Sequence, residues 1–436
     1  MLYARRVPLT WLAAGSVLLG LACSGSVSVN TNNGNETGGS PGATGGDAAA
    51  PSGTGGRAAG SGGSMAQTGG GSGGRTAQSG GGSGGTMMQI SGGSGGSVNT
   101  SWDRRNFARV LLSGHSLIDN PVARPYLESM AQSRGHDYNW ERQIIIGSPI
   151  RVRTRGMDGG ASTFTGYAQG GNKDGTNKDL LAELRSPTSI GASERYDTLV
   201  IAERNDFLGT LAYEGTIQFL RHYHDRLREQ NDDARTFLYQ TWPQIDPADP
   251  EEWLAYVEKE LILWECAAAK VNLTLERDGF PKAVSVLPTG VALVRFLRAA
   301  LDGQLPGISG SPTERVHAVL TDDVHLSPAG AYLMAASIYA AVFGQSPVGL
   351  PAPGDPNPVS AELASAAAEI AWEVVSSYQG RSDKPWDRTM EECNQALTDV
   401  CPDFWSIHNS NIDCAHWGDA RQAFQWPDTS IPLPPP

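Results

Sequence analysis

The sequence lacks an apolar run long enough for a secure membrane span, a basic cluster and closely spaced cysteine pairs. Over residues 24–100 it also has almost no aromatic or branched apolar residue. Each absence excludes something. The apolar run at residues 7–22 is shorter than the roughly 20 residues that cross a bilayer. With Arg5 and Arg6 ahead of it, the segment 1–22 reads as a secretory signal peptide. Lysine and arginine number 33 against 46 acidic residues, a formal net charge of −13 that argues against nucleic-acid binding. The Gly/Ser-rich stretch after Cys23 cannot bury enough surface to offset its chain entropy, so residues 23–100 are expected to form a disordered tether.

What is present at the amino end points to export. Ala22 before Cys23 is similar to a bacterial lipobox, with Gly20 where an aliphatic residue is usual, and implies lipidation of Cys23 as the sole membrane contact. Arg5-Arg6 lacks the remaining twin-arginine pattern. Export permits disulfides, and the cysteines left after Cys23 (Cys266, Cys393, Cys401, Cys414) allow three pairings. The run Cys393, Cys401, Cys414 with His408 and His416 has metal-ligand residue types. It lacks zinc-finger spacing, so one or two disulfides are expected and no metal.

The remaining ~335 residues suffice for one large domain, 101–350, and an extension, 351–436. Apolar runs predict strands over 102–113, 138–146, 196–202, 235–241 and 283–287, with a short strand at 316–320 within the loop 303–321. Between them lie helical stretches at 121–132, 179–185, 213–229, 249–271, 290–301 and 327–343, and a Gly-rich loop at 151–177. A further helix is expected at 360–378. Near-continuous apolar strands alternating with helices imply a mostly parallel sheet covered on both faces, a three-layer α/β/α fold.

Candidate chemistry gathers where strands end. Ser116 follows the first strand in Gly114-His115-Ser116-Leu117, where a parallel sheet places its ligands. His325 is a general base for it, and Asp322, three residues earlier, can orient the imidazole from the same loop. Asp323 is the alternative orienter. Each residue alone has a plainer reading, as a helix cap or turn residue. Asp119 is expected to bond local backbone, and Trp242 to line a pocket or fill the core.

With Asn205 in Arg204-Asn205-Asp206 and the block Asp322-Asp323-Val324-His325-Leu326, the sequence resembles the SGNH (GDSL-type) hydrolases by motif and order over about residues 108–343. The resemblance implies a flavodoxin-like core in which Ser116 is nucleophile, His325 base and Asp322 its orienter. It implies an oxyanion hole made of the Ser116 N–H, the Gly147 N–H and the Asn205 side chain, with Gly156 the second choice for the glycine. His115 replaces the family's acidic residue. Glu203 stands where glycine is usual, and is expected to add charge beside Asn205.

The expectation is an exported serine esterase that removes short acyl groups, acetyl foremost, from small-molecule or polysaccharide esters, without metal or organic cofactor. The alternatives are a lipase or thioesterase, an O-acetyltransferase, and a non-catalytic carbohydrate-binding lipoprotein. Trp372, Trp386, Trp405, Trp417 and Trp426 in the extension read as a disulfide-stapled brace rather than a sugar-stacking lid.

Overall fold

The computed structural model describes residues 104–155, 166–352, 358–383 and 385–408. The expected signal peptide and tether, Cys23, Gly156, Cys414, His416, Trp417 and Trp426 lie outside them. Five strands, β1 (Phe107–Gly114), β2 (Asp137–Ile144), β3 (Thr198–Ala202), β4 (Arg235–Tyr239) and β5 (Val284–Leu287), form one parallel sheet in the order β2-β1-β3-β4-β5. Strands β3 to β5 are buried along their whole length, and β1 beyond Phe107. This is why they read as unbroken apolar runs. The order reverses between β1 and β3, so helices leave the two strands on opposite faces and open a crevice at their carboxyl ends.

The helices are α1 (Ser116–Ala123), α2 (Tyr126–Ser133), α3 (Ile150–Arg155), α4 (Leu180–Arg185), α5 (Phe207–Tyr213), α6 (Thr216–Arg228), α7 (Glu251–Arg277), α8 (Thr289–Leu301), α9 (Pro312–Val319), α10 (Pro328–Phe343), α11 (Ala361–Gln379) and α12 (Met390–Ile407). Helices α1, α2, α8, α9 and α11 pack on α10, while α3, α4 and α7 pack on α6 across the sheet. The Ala-rich α10 is buried on every side, so small residues let its neighbours approach closely. Its carboxyl end ties to the chain's entry point: Arg105 N–H donates to the Phe343 carbonyl (2.9 Å), and Gln345 Nε2 to the Arg105 carbonyl (2.6 Å).

Four expected elements differ. The Gly-rich surface loop expected over 151–177 opens instead within helix α3, where Val152, Arg153 and Thr154 are buried. The first helix begins at Ser116, with Pro121 inside it, and breaks at Pro125. Pro121 has no N–H for the Leu117 carbonyl, and the Tyr239 hydroxyl approaches that carbonyl instead, at 3.4 Å. The stretch 213–229 divides at Gly215, which takes φ +61° ahead of α6. The short strand at 316–320 is the end of α9, started by a capping box of Ser311 and Glu314 with proline at its first turn.

The extension is held to α7 covalently and ionically. Cys266 of α7 and Cys393 of α12 form a disulfide. Beside it, buried Glu265 accepts from Arg381 Nη1 (2.7 Å) and Arg388 Nε (2.8 Å). Cys401 is also disulfide-bonded, so neither Cys393 nor Cys401 is available as a thiolate ligand. Trp372 and Trp405 pack against the main core.

Candidate active site

The turn after β1 is sharp. A Cβ on Gly114 would meet Ile118 Cγ2 at 2.2 Å and the Ala202 Cβ at 3.2 Å, so only glycine lets α1 fold back over the strand end. Ser116 is then the first residue of α1, half-buried, with the helix's amino-terminal dipole behind it. Its Oγ lies 3.0 Å from His325 Nε2.

His325 and Asp322 occupy a closed loop between α9 and α10. Buried Leu320 and Leu326 bridge at its base, and Thr321 N–H donates to the His325 carbonyl at 2.7 Å. Asp322 Oδ1 accepts the amides of Val324 (2.8 Å) and His325 (2.6 Å), while Oδ2 sits 2.8 Å from His325 Nδ1. A carboxylate can only accept, so the proton belongs on Nδ1 and the Nε2 lone pair faces Ser116. Burial pushes the Asp322 carboxyl up, but these amides and the imidazole outweigh it and hold it below the ordinary carboxylate range. Asp323 is exposed and makes no such contact; its carbonyl accepts the Ile245 N–H at 2.9 Å. Trp242 is fully buried and donates from Nε1 to the Val324 carbonyl at 2.9 Å. The loop after β4 therefore braces the histidine loop, and Trp242 is a core support rather than a pocket wall.

Gly147 sits in a turn immediately after β2, with φ +68° and open space where a side chain would stand. Ile145 N–H donates to the Gly114 carbonyl (3.0 Å), holding this turn beside the Ser116 loop. Asn205 follows β3 half-exposed, and its side chain has no hydrogen-bond partner among the described residues. Neighbouring Arg204 is paired with Asp206 at 2.6 Å. The structure thus gathers Ser116, Gly147 and Asn205 at the carboxyl ends of β1, β2 and β3, whereas Gly156 lies outside the described residues.

Two expectations are corrected. Glu203 adds no surface charge: it is fully buried and accepts from Ile150 N–H (3.0 Å), Arg204 N–H (2.7 Å) and Thr216 Oγ1 (2.8 Å). Asp119 pairs with Arg142 rather than with local backbone.

Sequence reading missed the work of His115 and Arg153. His115 is buried and donates from Nε2 to the Glu203 carbonyl (3.0 Å), joining the serine loop to the Asn205 loop. Burial pushes it down to about 4. His224, enclosed on α6 against Thr236 Oγ1, is pushed down to about 3 for the same reason. Both are neutral in the fold. Below the ordinary histidine value of about 6.5 the unfolded chain takes up protons that the native state cannot. Native stability is therefore full above that pH, falls as pH drops through the window, and levels out below about 4 and about 3 respectively. The combined loss is on the order of several kcal/mol. Thermal unfolding between pH 7 and 4 should show it, with a shallower fall in His224→Asn; equal slopes in the two proteins would exclude His224 as a source.

Fold and site together define an α/β protein with a hydrogen-bonded serine–histidine–aspartate chain at the carboxyl edge of a parallel sheet. No protein-family model matches the chain, and no curated protein matches it. Among solved structures it is similar to a DUF4886 family protein from Bacteroides uniformis ATCC 8492. That similarity amounts to 15% identity, covers 63% of this chain and 97% of that one, and has a TM-score of 0.43.

Proposed function

We propose that this chain is an exported serine ester hydrolase of the SGNH type, acting on short acyl esters. The observation that carries the reading is the continuous relay from Ser116 Oγ through His325 to Asp322, with both links at hydrogen-bond distance. In the reaction His325 Nε2 takes the Ser116 proton as Oγ attacks the ester carbonyl. The oxyanion is received by the N–H groups of Ser116 and Gly147 and by the Asn205 side chain. The proton passes from His325 to the departing alcohol, and water, activated by the same imidazole, releases the acid from the acyl-serine. Asp322 keeps the imidazole in the reactive tautomer and steadies its positive form. Acetyl groups on a polysaccharide suit an enzyme exported on a lipidated Cys23, and this part of the reading rests on the sequence motifs alone.

The test uses the secreted chain with p-nitrophenyl acetate and p-nitrophenyl octanoate, together with a fluorophosphonate probe whose phosphorus is attacked by a serine oxygen with loss of fluoride. Expected are turnover of the acetate in preference to the octanoate, and one label per chain, mapped to the peptide containing Ser116. Preference for the octanoate moves the assignment to a lipase, and transfer of acetyl to an added sugar moves it to an acetyltransferase. A chain inert to esters and probe alike removes the hydrolase reading.

A further inference from the structure

Arg153 on α3 is among the largest side chains enclosed completely in this protein. Its guanidinium donates from Nε to Ser113 Oγ (3.0 Å), from Nη1 to the Ser148 carbonyl (2.7 Å) and Oγ (3.1 Å), and from Nη2 to the Ala202 carbonyl. Ser113 precedes Ser116 by three residues, Ser148 directly follows Gly147, and Ala202 precedes Asn205 by three. One planar group therefore ties together the ends of β1 and β3 and the turn that follows β2, each within three residues of one of the three oxyanion donors assigned above. Glu203 completes the unit. It is the negative neighbour of Arg153 and accepts the Ile150 amide from the same helix and the Arg204 amide beside Asn205.

Enclosing a cation forfeits its solvation by water, a cost that an apolar side chain of the same size would avoid. What the guanidinium supplies and an apolar chain does not is a rigid fork of donors that fixes several acceptors at set angles. We infer that Arg153 is a positioning residue that sets the spacing of the Ser116, Gly147 and Asn205 oxyanion donors without itself meeting substrate. The inference rests on the hydrolase reading. It extends that reading because the fork acts on transition-state geometry: the planar ester is held loosely, and the tetrahedral oxyanion needs all three donors in register. A displacement of about 1 Å at such a site lowers turnover by roughly a hundredfold.

The test compares wild type with Arg153→Met, Arg153→Lys and Ser148→Ala in the full chain. The readouts are kcat and KM on p-nitrophenyl acetate, the inhibition constant of phenylboronic acid, which forms a tetrahedral adduct on a serine oxygen, and thermal unfolding as a check of folding. Expected for Arg153→Met is a fall in kcat of about a hundredfold with KM changed less than about threefold, and a parallel loss of boronate affinity. Arg153→Lys, which keeps the charge and not the fork, should fold and remain impaired. Ser148→Ala, which removes one acceptor, should lose about tenfold in kcat. If Arg153→Met does not fold, the other two variants decide. Folded variants with wild-type kcat, a lysine variant that recovers full turnover, or a kcat loss without loss of boronate affinity overturn the inference while an active wild type leaves the hydrolase reading standing. A wild type inert to ester and boronate overturns both.

Discussion

Alanine at Ser116, alanine at His325 and the two changes together are expected to lower kcat on p-nitrophenyl acetate by one common factor, of about ten-thousand-fold or more. The equality matters as much as the size. In the proposed mechanism Ser116 Oγ and His325 Nε2, 3.0 Å apart, act as one proton-transferring unit, so losing either member should remove the whole function and losing both should add little. Asp322→Asn should cost less, by roughly one to two orders of magnitude. Its Oδ1 can still hold the amides of Val324 and His325, leaving an NH2 group to face Nδ1. The imidazole proton then moves to Nε2, where it opposes attack by Ser116. Because Asp322 is held below the ordinary carboxylate range, its protonation should limit activity at a lower pH than that of an unpartnered aspartate would. Stopped assays on folded protein check the series; losses that multiply in the double variant, or a Ser116→Ala protein with more than about a tenth of wild-type activity, would remove the unit from the mechanism.

Loss of the buried Cys266–Cys393 disulfide is expected to be among the most costly changes to stability. The bond closes a loop of 127 residues, for which chain entropy assigns about 5 kcal/mol to the constraint on the unfolded state. The double variant Cys266→Ala/Cys393→Ala should therefore unfold at distinctly lower denaturant concentration. The buried Glu265 with Arg381 and Arg388 still fastens the extension to α7, so the native fold should persist. Guanidinium titrations of the two proteins give the difference; a loss under about 1 kcal/mol would mean that the unfolded chain is already compact without the bond.

The parts of the fold that reported on themselves were those whose residues carry their own local reason. Strands β3, β4 and β5 are buried on both faces and so appear as plain apolar runs. Ser327 and Ser360 cap α10 and α11 as serine before a helix should. Helix α9 was misread because Val316, Val319 and Leu320 suggest a strand, although the Ser311-Pro312-Thr313-Glu314 start was there to be used. The start of α1 was misplaced because Pro121 looks like a first-turn proline, and only Tyr239, distant in sequence, makes an interior proline tolerable there. Ser116, Asp322 and His325 are legible because the proposed nucleophile, base and orienter need those residue types, Ser116 past the end of β1 and Asp322 three residues before His325 in the loop ahead of α10. Arg153, Glu203 and His115 are not, since charged and polar residues are exposed by default. Their enclosure is a property of five strands and several helices meeting, which no local window contains.

The tie between Arg105 and Phe343 has a consequence for how the site is presented. It fixes the chain's entry at the amino end of β1, while Ser116 lies past the carboxyl end of the same eight-residue strand. At roughly 3.3 Å per residue the two are separated by about 26 Å, the depth of the sheet. The amino end of β1 and the Ser116–His325–Asp322 chain therefore lie at opposite edges of the sheet. Under the proposed function, the edge that carries Ser116 is the one farthest along β1 from Arg105.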